Sequence, residues 1–129
     1  ARRQKAAQML YEYLDESYAE QSNIIVLGDW NDDTKDEPGQ HCFEPFFQDD
    51  RFYFTTREIA YDIDQATYPK EPYVSFLDHI MVSEQLLPRK TDYDVKTILM
   101  GEYMGGYDVY ESYISDHLPV MLSFLIKPL

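Results

Sequence analysis

The feature of this sequence that most constrains its fold is a helical apolar pattern that runs directly into a short apolar segment. From residue 1 to about residue 21, apolar side chains recur at steps of three and four, and the charged ones fall mostly on the opposite face. The pair Ser22 and Asn23 is expected to end this helix. Residues 24–27 (IIVL) then predict a short strand that is buried on both faces and closed by Gly28. A helix that feeds a buried strand is typical of α/β proteins.

Short extended segments alternate with turn-rich segments along the rest of the chain. The sequence predicts a short helix over residues 41–48 and strands over residues 51–56, 75–82, 93–100 and 118–126. The last strand is apolar on both faces, which predicts a central position in its sheet. Segments 62–72 and 101–113 contain Pro or Gly and are expected to be loops. No repeat or linker divides the chain, so residues 1–129 are expected to belong to one domain.

The charge balance of the chain is strongly acidic. Lys and Arg total 11 against 24 Asp and Glu, a formal charge of −13. Such a surface does not attract nucleic acid or anionic lipid over long range, so the charge disfavours nucleic acid as a substrate without excluding a nuclease. The 44% hydrophobic content predicts a packed core. No apolar run approaches the roughly 18 residues of a membrane span, so none is expected.

Three short motifs lie where the predicted strands begin or end. Residues 28–31 (GDWN) follow the first strand, residues 75–80 (SFLDHI) lie inside a later one, and residues 115–120 (SDHLPV) precede the last. Asp29 therefore follows its strand and Asp116 precedes its own. If both residues lie at one edge of a sheet, the two strands run antiparallel, and that edge gathers three carboxylates, a histidine and an asparagine.

Hydrolysis of a phosphate ester requires such a set of groups. Negative charge builds on the phosphoryl and leaving oxygens, and a hard cation held by carboxylates can neutralise it. A further carboxylate must orient the attacking water and accept its proton. A protonated histidine can donate a hydrogen bond to the phosphate, and a neighbouring carboxylate such as Asp78 would favour that protonated form.

In order and in strand context, the three motifs resemble the C-terminal motifs of the endonuclease/exonuclease/phosphatase superfamily (DNase I-like). The resemblance implies that Asp29 activates the attacking water and that Asn31 helps to hold the phosphate. It implies that His117 contacts the scissile phosphate and that Asp78 pairs with His117. Asp116 would be a ligand of the metal, Mg²⁺ or Mn²⁺. No catalytic role is implied for His79.

The resemblance covers the second half of the family's domain. It implies an α/β fold, half of a four-layer sandwich, with a mostly antiparallel sheet that is covered by helices on one face. The family's N-terminal half supplies an asparagine, a metal-binding glutamate and a further His or Tyr, and residues 1–129 contain no counterpart of them. The chain is therefore expected to be a truncation, a proteolytic product or a natural half-domain, and to be inactive alone. Its open sheet face predicts a homodimer.

Two classes of function remain open from the sequence. The first is a divalent-metal-dependent phosphoesterase that attacks a phosphodiester or phosphomonoester with activated water. Within it, a nuclease, a lipid phosphodiesterase and a sugar or inositol phosphatase are all consistent with the motifs. The second is a non-catalytic fragment or interaction module that keeps the fold without turnover. Taken alone, Asp29 and Asn31 also fit an ordinary turn, and the sequence leaves the cellular compartment unknown.

Overall fold

A computed structural model describes residues 2–88 and 92–125 of the chain, which form a mixed α/β structure. The elements in chain order are helix α1 (Arg2–Ser17), strand β1 (Ile25–Asp29), helix α2 (Glu44–Phe47), strand β2 (Phe52–Phe54), two 3₁₀ turns (Ile59–Tyr61 and Ile63–Gln65), strand β3 (Asp78–Ser83), strand β4 (Tyr93–Thr97), helices α3 (Gly101–Met104) and α4 (Tyr107–Tyr113), and strand β5 (Val120–Phe124). No helix among these described residues is both long enough and apolar enough to cross a membrane.

The strands form two antiparallel sheets. The first has the order β1-β3-β2, and β3 lies in its centre with every residue from His79 to Ser83 buried. The second is the antiparallel pair β4-β5, with Tyr93 opposite Phe124 and Thr97 opposite Val120. Helices α3 and α4 lie in the connection between its two strands. The antiparallel character predicted from the sequence is confirmed.

Helices α1 and α2 cover one face of the three-stranded sheet. Met81 on β3 and Phe54 on β2 lie in a core with Leu14 of α1 and Phe46 of α2. Many of its ring pairs meet edge to face, the arrangement that aromatic quadrupoles favour. Pro45 lies in the first turn of α2, where its missing N–H is harmless, so it starts this helix and does not interrupt it.

The second sheet packs against the opposite face. Ile80 and Val82 of β3 contact a group of apolar side chains that includes Leu122 and Phe124 of β5. The β4-β5 pair leaves β1 largely uncovered on this face, as the exposure of Ile25 (44%) and Leu27 (69%) shows. The prediction that the first strand is buried on both faces is therefore wrong.

Two further sequence predictions are corrected by the structure. Strand β5 pairs only with β4 among the described residues, so the expected central position is wrong. Its predicted last residue, Ile126, lies outside the described part of the chain. Segment 101–113, expected to be loop, contains α3 and α4. The first helix ends at Ser17, earlier than the Gln21 that the apolar pattern suggested.

Candidate functional site

The antiparallel register of β1 and β3 brings two of the predicted site residues together. Asp29, the last residue of β1, lies directly opposite Asp78, the first residue of β3. Opposite residues in an antiparallel pair project from the same face of the sheet, and here it is the face of Ile80, toward the second sheet. Two carboxylates from segments far apart in sequence therefore lie side by side at one sheet edge.

The turn after β1 orients Asp29. Its Oδ1 accepts the Asn31 backbone N–H at 2.8 Å, and its Oδ2 accepts the Asn31 side-chain amide at 3.2 Å. Asn31 has φ +55° and Gly28 has φ +152°, backbone conformations that asparagine and glycine tolerate best. A carboxylate has about four lone-pair positions, so roughly two remain on Asp29 for a water or a cation. The turn interpretation of Asp29 and Asn31 is confirmed by these contacts, and it leaves part of the carboxylate free.

The loop before β5 places His117 against Asp78. The His117 Nδ1 lies 2.7 Å from Asp78 Oδ2, and the ring of Tyr68 lies 5.4 Å from the imidazole. The two members of the pair are both partly buried, with 25% of the His117 side chain and 22% of the Asp78 side chain exposed. The predicted Asp78–His117 contact is present, and the partner that a half-buried carboxylate needs is this histidine.

The electrostatics of the pair favour a charged imidazole. Burial by itself would lower the pKa of His117. The hydrogen bond to Asp78 and the charges of Asp78, Asp29 and Asp116 outweigh burial, so the pKa of His117 is raised above its ordinary value. The ring therefore holds its second proton more readily than a free histidine, and Nε2 is then a donor.

Asp29, Asp78 and His117 form a compact group, in which the two carboxylates are the potential metal ligands, because a protonated imidazole has no lone pair to offer an ion. One ligand atom from each residue lies within 4.8 Å of the others. Two carboxylates are the oxygen donors that Mg²⁺ and Mn²⁺ accept, and Mg²⁺ usually binds one or two carboxylates and keeps several waters. The carboxylate oxygens of Asp29 and Asp78 are therefore of the ligand type that Mg²⁺ or Mn²⁺ requires. Asp116, the predicted ligand, is exposed and does not belong to this compact group.

Several residues that hold the site in place were missed from the sequence. The Thr67 hydroxyl accepts the backbone N–H groups of Leu77 and Asp78, and the Thr67 carbonyl accepts the N–H of Leu118 at 2.7 Å. One buried threonine thus joins the beginning of β3 to the loop that carries His117. Its signal in the sequence is a single Thr within a segment that otherwise looks like a loop.

Helix α4 supports the same loop from the other side. The hydroxyl of Tyr110 donates to the His117 carbonyl at 2.8 Å, and that of Tyr107 donates to the Asp116 carbonyl at 2.7 Å. The side chain of Ser115 accepts the His117 N–H at 3.0 Å. Tyr107 and Tyr110 therefore position the backbone of Asp116 and His117.

A groove lies beside the site, between α1 and β1, with a volume of about 630 Å³. Its walls include Leu10, Val26 and Leu27, and Asp29 lies at its border. Arg2 and Arg3 also line it, and Arg3 pairs with Asp32 at 2.6 Å. The groove is therefore mainly apolar and is bordered by two cations in an otherwise acidic chain.

Comparisons with protein-family models, with curated proteins and with solved structures find no significant match for this chain. The family resemblance rests on the three motifs themselves.

Proposed function

We propose that this chain carries the second half of the active site of a divalent-metal-dependent phosphoesterase. The observation that carries the proposal is the meeting of Asp29, Asp78 and His117, which come from three separate segments and each place one polar atom within 4.8 Å of the others. Structural turns explain a single Asp or His in this position, but they do not require all three to converge. The resemblance of the three sequence motifs to the family supports the same conclusion.

In the proposed reaction, a water oxygen attacks phosphorus in line with the leaving oxygen. Asp29, whose carboxylate is held by Asn31, accepts a proton from that water as the new P–O bond forms. His117, held by Asp78, donates its Nε2–H to a phosphoryl oxygen on which charge develops. The P–O bond to the leaving group breaks, the leaving oxygen keeps the electron pair and takes a proton from solvent water, and no covalent enzyme intermediate forms.

A Mg²⁺ or Mn²⁺ ion would supply charge neutralisation at the phosphoryl oxygens. Asp116 is the ligand implied by the family resemblance, and the carboxylates of Asp29 and Asp78 are the nearby oxygen donors. The missing glutamate of the family's other half would complete the set, so the chain by itself is expected to turn over slowly or not at all.

The proposal is tested by assaying a generic phosphodiester and a generic phosphomonoester with Mg²⁺, Mn²⁺ or EDTA. The chain is compared with a longer form that includes a preceding half-domain. In both forms, the Asp116→Ala and His117→Ala variants are assayed beside the unsubstituted protein. Turnover that depends on the metal, and that both substitutions reduce by roughly 10²-fold or more, supports the proposal. A longer form that is inert with every metal would overturn it.

The uncovered side of β1 favours a second candidate function, an interaction module. Leu27 and Ile25 lie on the face that the β4-β5 pair leaves open, and β1 pairs only with β3 among the described residues. Exposed apolar strand edges attract further strands. We propose a second copy of this chain as the occupant, because the same uncovered surface on each copy can be buried against the other around a twofold axis.

A further inference from the structure

His79 follows Asp78 in the sequence, but its side chain lies on the opposite face of the sheet. Its side chain is 1% exposed and its ring lies 5.2 Å from both Phe43 and Phe76. In the β1–β3 register it is opposite Gly28, on the face that the helices cover. A histidine buried this completely needs a partner for each ring nitrogen.

Both nitrogens have such a partner, and the partners define the tautomer. Nε2 lies 3.1 Å from the backbone carbonyl of Asp32, which can only accept, so Nε2 carries the proton. Nδ1 is then the acceptor for the Thr56 hydroxyl, at 2.9 Å. Burial lowers the pKa of His79, with the hydrogen bond to the Asp32 carbonyl opposing it, and the neutral ring matches this pattern.

The Asp32 carbonyl that accepts this hydrogen bond belongs to the turn that carries the candidate catalytic residues. Asp32 directly follows Asn31, the residue with φ +55° whose two N–H groups hold Asp29. The next residue, Asp33, accepts the backbone N–H of Phe76 at 3.1 Å. The turn is therefore tied to the segment around β3 at two successive residues, one through His79 and one through Asp33.

We propose that His79 is a positioning residue: through its hydrogen bond to the Asp32 carbonyl it holds the turn of residues 29–33 in the conformation that aims Asp29 and Asn31 at the substrate. The catalytic consequence of this proposal rests on the proposed function. The structural part does not, because the geometry of the turn can be followed without any turnover. His79 itself contacts neither the substrate nor the reacting water.

Two neighbouring threonines provide a matched test. The Thr56 hydroxyl donates to His79, whereas the Thr55 hydroxyl donates to the Ile80 carbonyl at 2.9 Å, and both side chains are almost fully buried. Thr56→Val and Thr55→Val each remove one buried hydrogen bond without changing side-chain shape. The first removes the donor to His79 Nδ1, whereas after the second the Ile80 carbonyl still accepts the Thr55 backbone N–H. Thr55→Val therefore controls for the change of hydroxyl to methyl in this buried pair, and His79→Gln controls for loss of stability at His79 itself.

The measurement is native-state hydrogen exchange of the Trp30 and Asn31 amides in the full chain, which bond to the Leu77 carbonyl and to Asp29. His79→Phe and Thr56→Val are expected to speed this exchange roughly tenfold relative to Thr55→Val, the factor that loss of one net hydrogen bond allows. His79→Gln, whose amide can still donate to the Asp32 carbonyl, is expected to restore most of the protection.

A second readout applies if the protein hydrolyses a phosphate ester in the assay of the proposed function. We expect His79→Phe to lower kcat roughly tenfold or more with little change in KM, and Thr55→Val to leave both nearly unchanged. If His79→Phe and Thr55→Val give equal exchange at Trp30 and Asn31, the positioning role is overturned, whether or not the protein hydrolyses any ester. If exchange responds as expected and no form is active, the proposed function fails and the positioning of the turn stands.

Discussion

At the scale of single residues, the Asp78–His117 pair is the contact on which the proposed chemistry depends most directly. Asp78→Asn keeps the size of the side chain and removes its charge, so the imidazole loses the partner that favours its charged form. If the proposed phosphoesterase activity is detected, this substitution is expected to lower turnover roughly 10²-fold, within the range of general acid–base effects. The measurement is kcat with Mg²⁺ on a phosphodiester.

Asp94→Asn is the matched control for that substitution. Asp94 is an exposed residue of β4, so the same chemical change there is expected to leave kcat within about twofold, as for a surface site. Equal losses in the two variants would show that overall charge, and not the pair with His117, sets the rate.

A second prediction at this scale concerns Asp49, whose carboxylate accepts the Arg51 Nε–H at 3.0 Å and the Tyr11 hydroxyl at 2.9 Å. The hydrogen bond from Arg51 outweighs burial and lowers the pKa of Asp49. A lowered pKa in the folded state stabilises the fold above the unfolded pKa, which is about 4, and the gain is lost as the pH falls through the folded value. Asp49→Asn is expected to cost roughly 1–3 kcal/mol at pH 7.

Urea denaturation at a series of pH values checks this prediction. The difference in unfolding free energy between wild type and Asp49→Asn should shrink as the pH falls below about 4. Asp50→Asn, at an exposed neighbouring position, serves as the control and should differ little from wild type. A gap that stays constant down to pH 2 would contradict the assignment.

Residue identities explain how much of the site could be predicted. The motifs gave Asp29, Asn31, Asp78 and His117 because their chemistry is visible in the sequence, and the structure brings Asp29, Asp78 and His117 together. Thr67 could not be found this way, since its role depends on three backbone groups that are distant in sequence. A hydroxyl that satisfies backbone N–H groups leaves no pattern in composition or periodicity.

At the scale of elements, α4 is the segment where the sequence prediction failed and where the site receives its support. Seven residues show less than two helical turns, too few for an apolar period to stand out, and Gly105 and Gly106 next to them indicate a loop. Such a short helix depends on tertiary contacts for its stability. Here these include the two tyrosine hydroxyls that reach the loop of His117.

Removal of one of these hydroxyls tests the support. Tyr110 is 3% exposed, so Tyr110→Phe leaves the His117 carbonyl without its donor and is expected to cost about 0.5–1.5 kcal/mol of stability. Because the carbonyl belongs to His117 itself, any phosphoesterase kcat that is detected should also fall. Thermal unfolding and turnover are measured together.

Tyr103→Phe is the control for the tyrosine substitution. Tyr103 is 77% exposed on the neighbouring helix α3, and loss of its hydroxyl should change neither stability nor turnover measurably. Identical behaviour of the two variants would mean that α4 does not position the SDH loop.

At the scale of the whole molecule, the sheet has one well-covered face and one face that is covered only in part. The sequence identified Ile25 and Leu27 as apolar, but apolar character does not reveal what covers a side chain, and both residues are exposed. The strands themselves were predicted within a few residues, because alternation and turn residues are local signals. Their grouping into two sheets depends on contacts that are distant in sequence.

The uncovered face leads to a prediction about assembly. If a second copy covers Ile25 and Leu27, the chain is a dimer at high micromolar concentration, and Leu27→Lys should convert it to a monomer by placing a charge in the contact. Light scattering measures both states. Met121→Lys, at a residue 39% exposed on the outward side of β5, is the control and should leave the dimer intact. A monodisperse wild-type monomer would exclude the dimer.

In the β1–β3 pair, adjacent residues of each strand lie on opposite faces of the sheet. Gly28 and His79 face the helices, while Asp29 and Asp78 face the second sheet. Because side chains alternate along a strand, deletion or insertion of one residue inside β3 would exchange the two sets and turn the histidine toward the second sheet and the carboxylate toward the aromatic core. A point substitution in β3 therefore affects one face of the sheet, whereas a change in the length of β3 affects both faces. Any variant of this protein that keeps the chemistry is expected to keep an even spacing between Asp78 and the buried Ile80 and Val82.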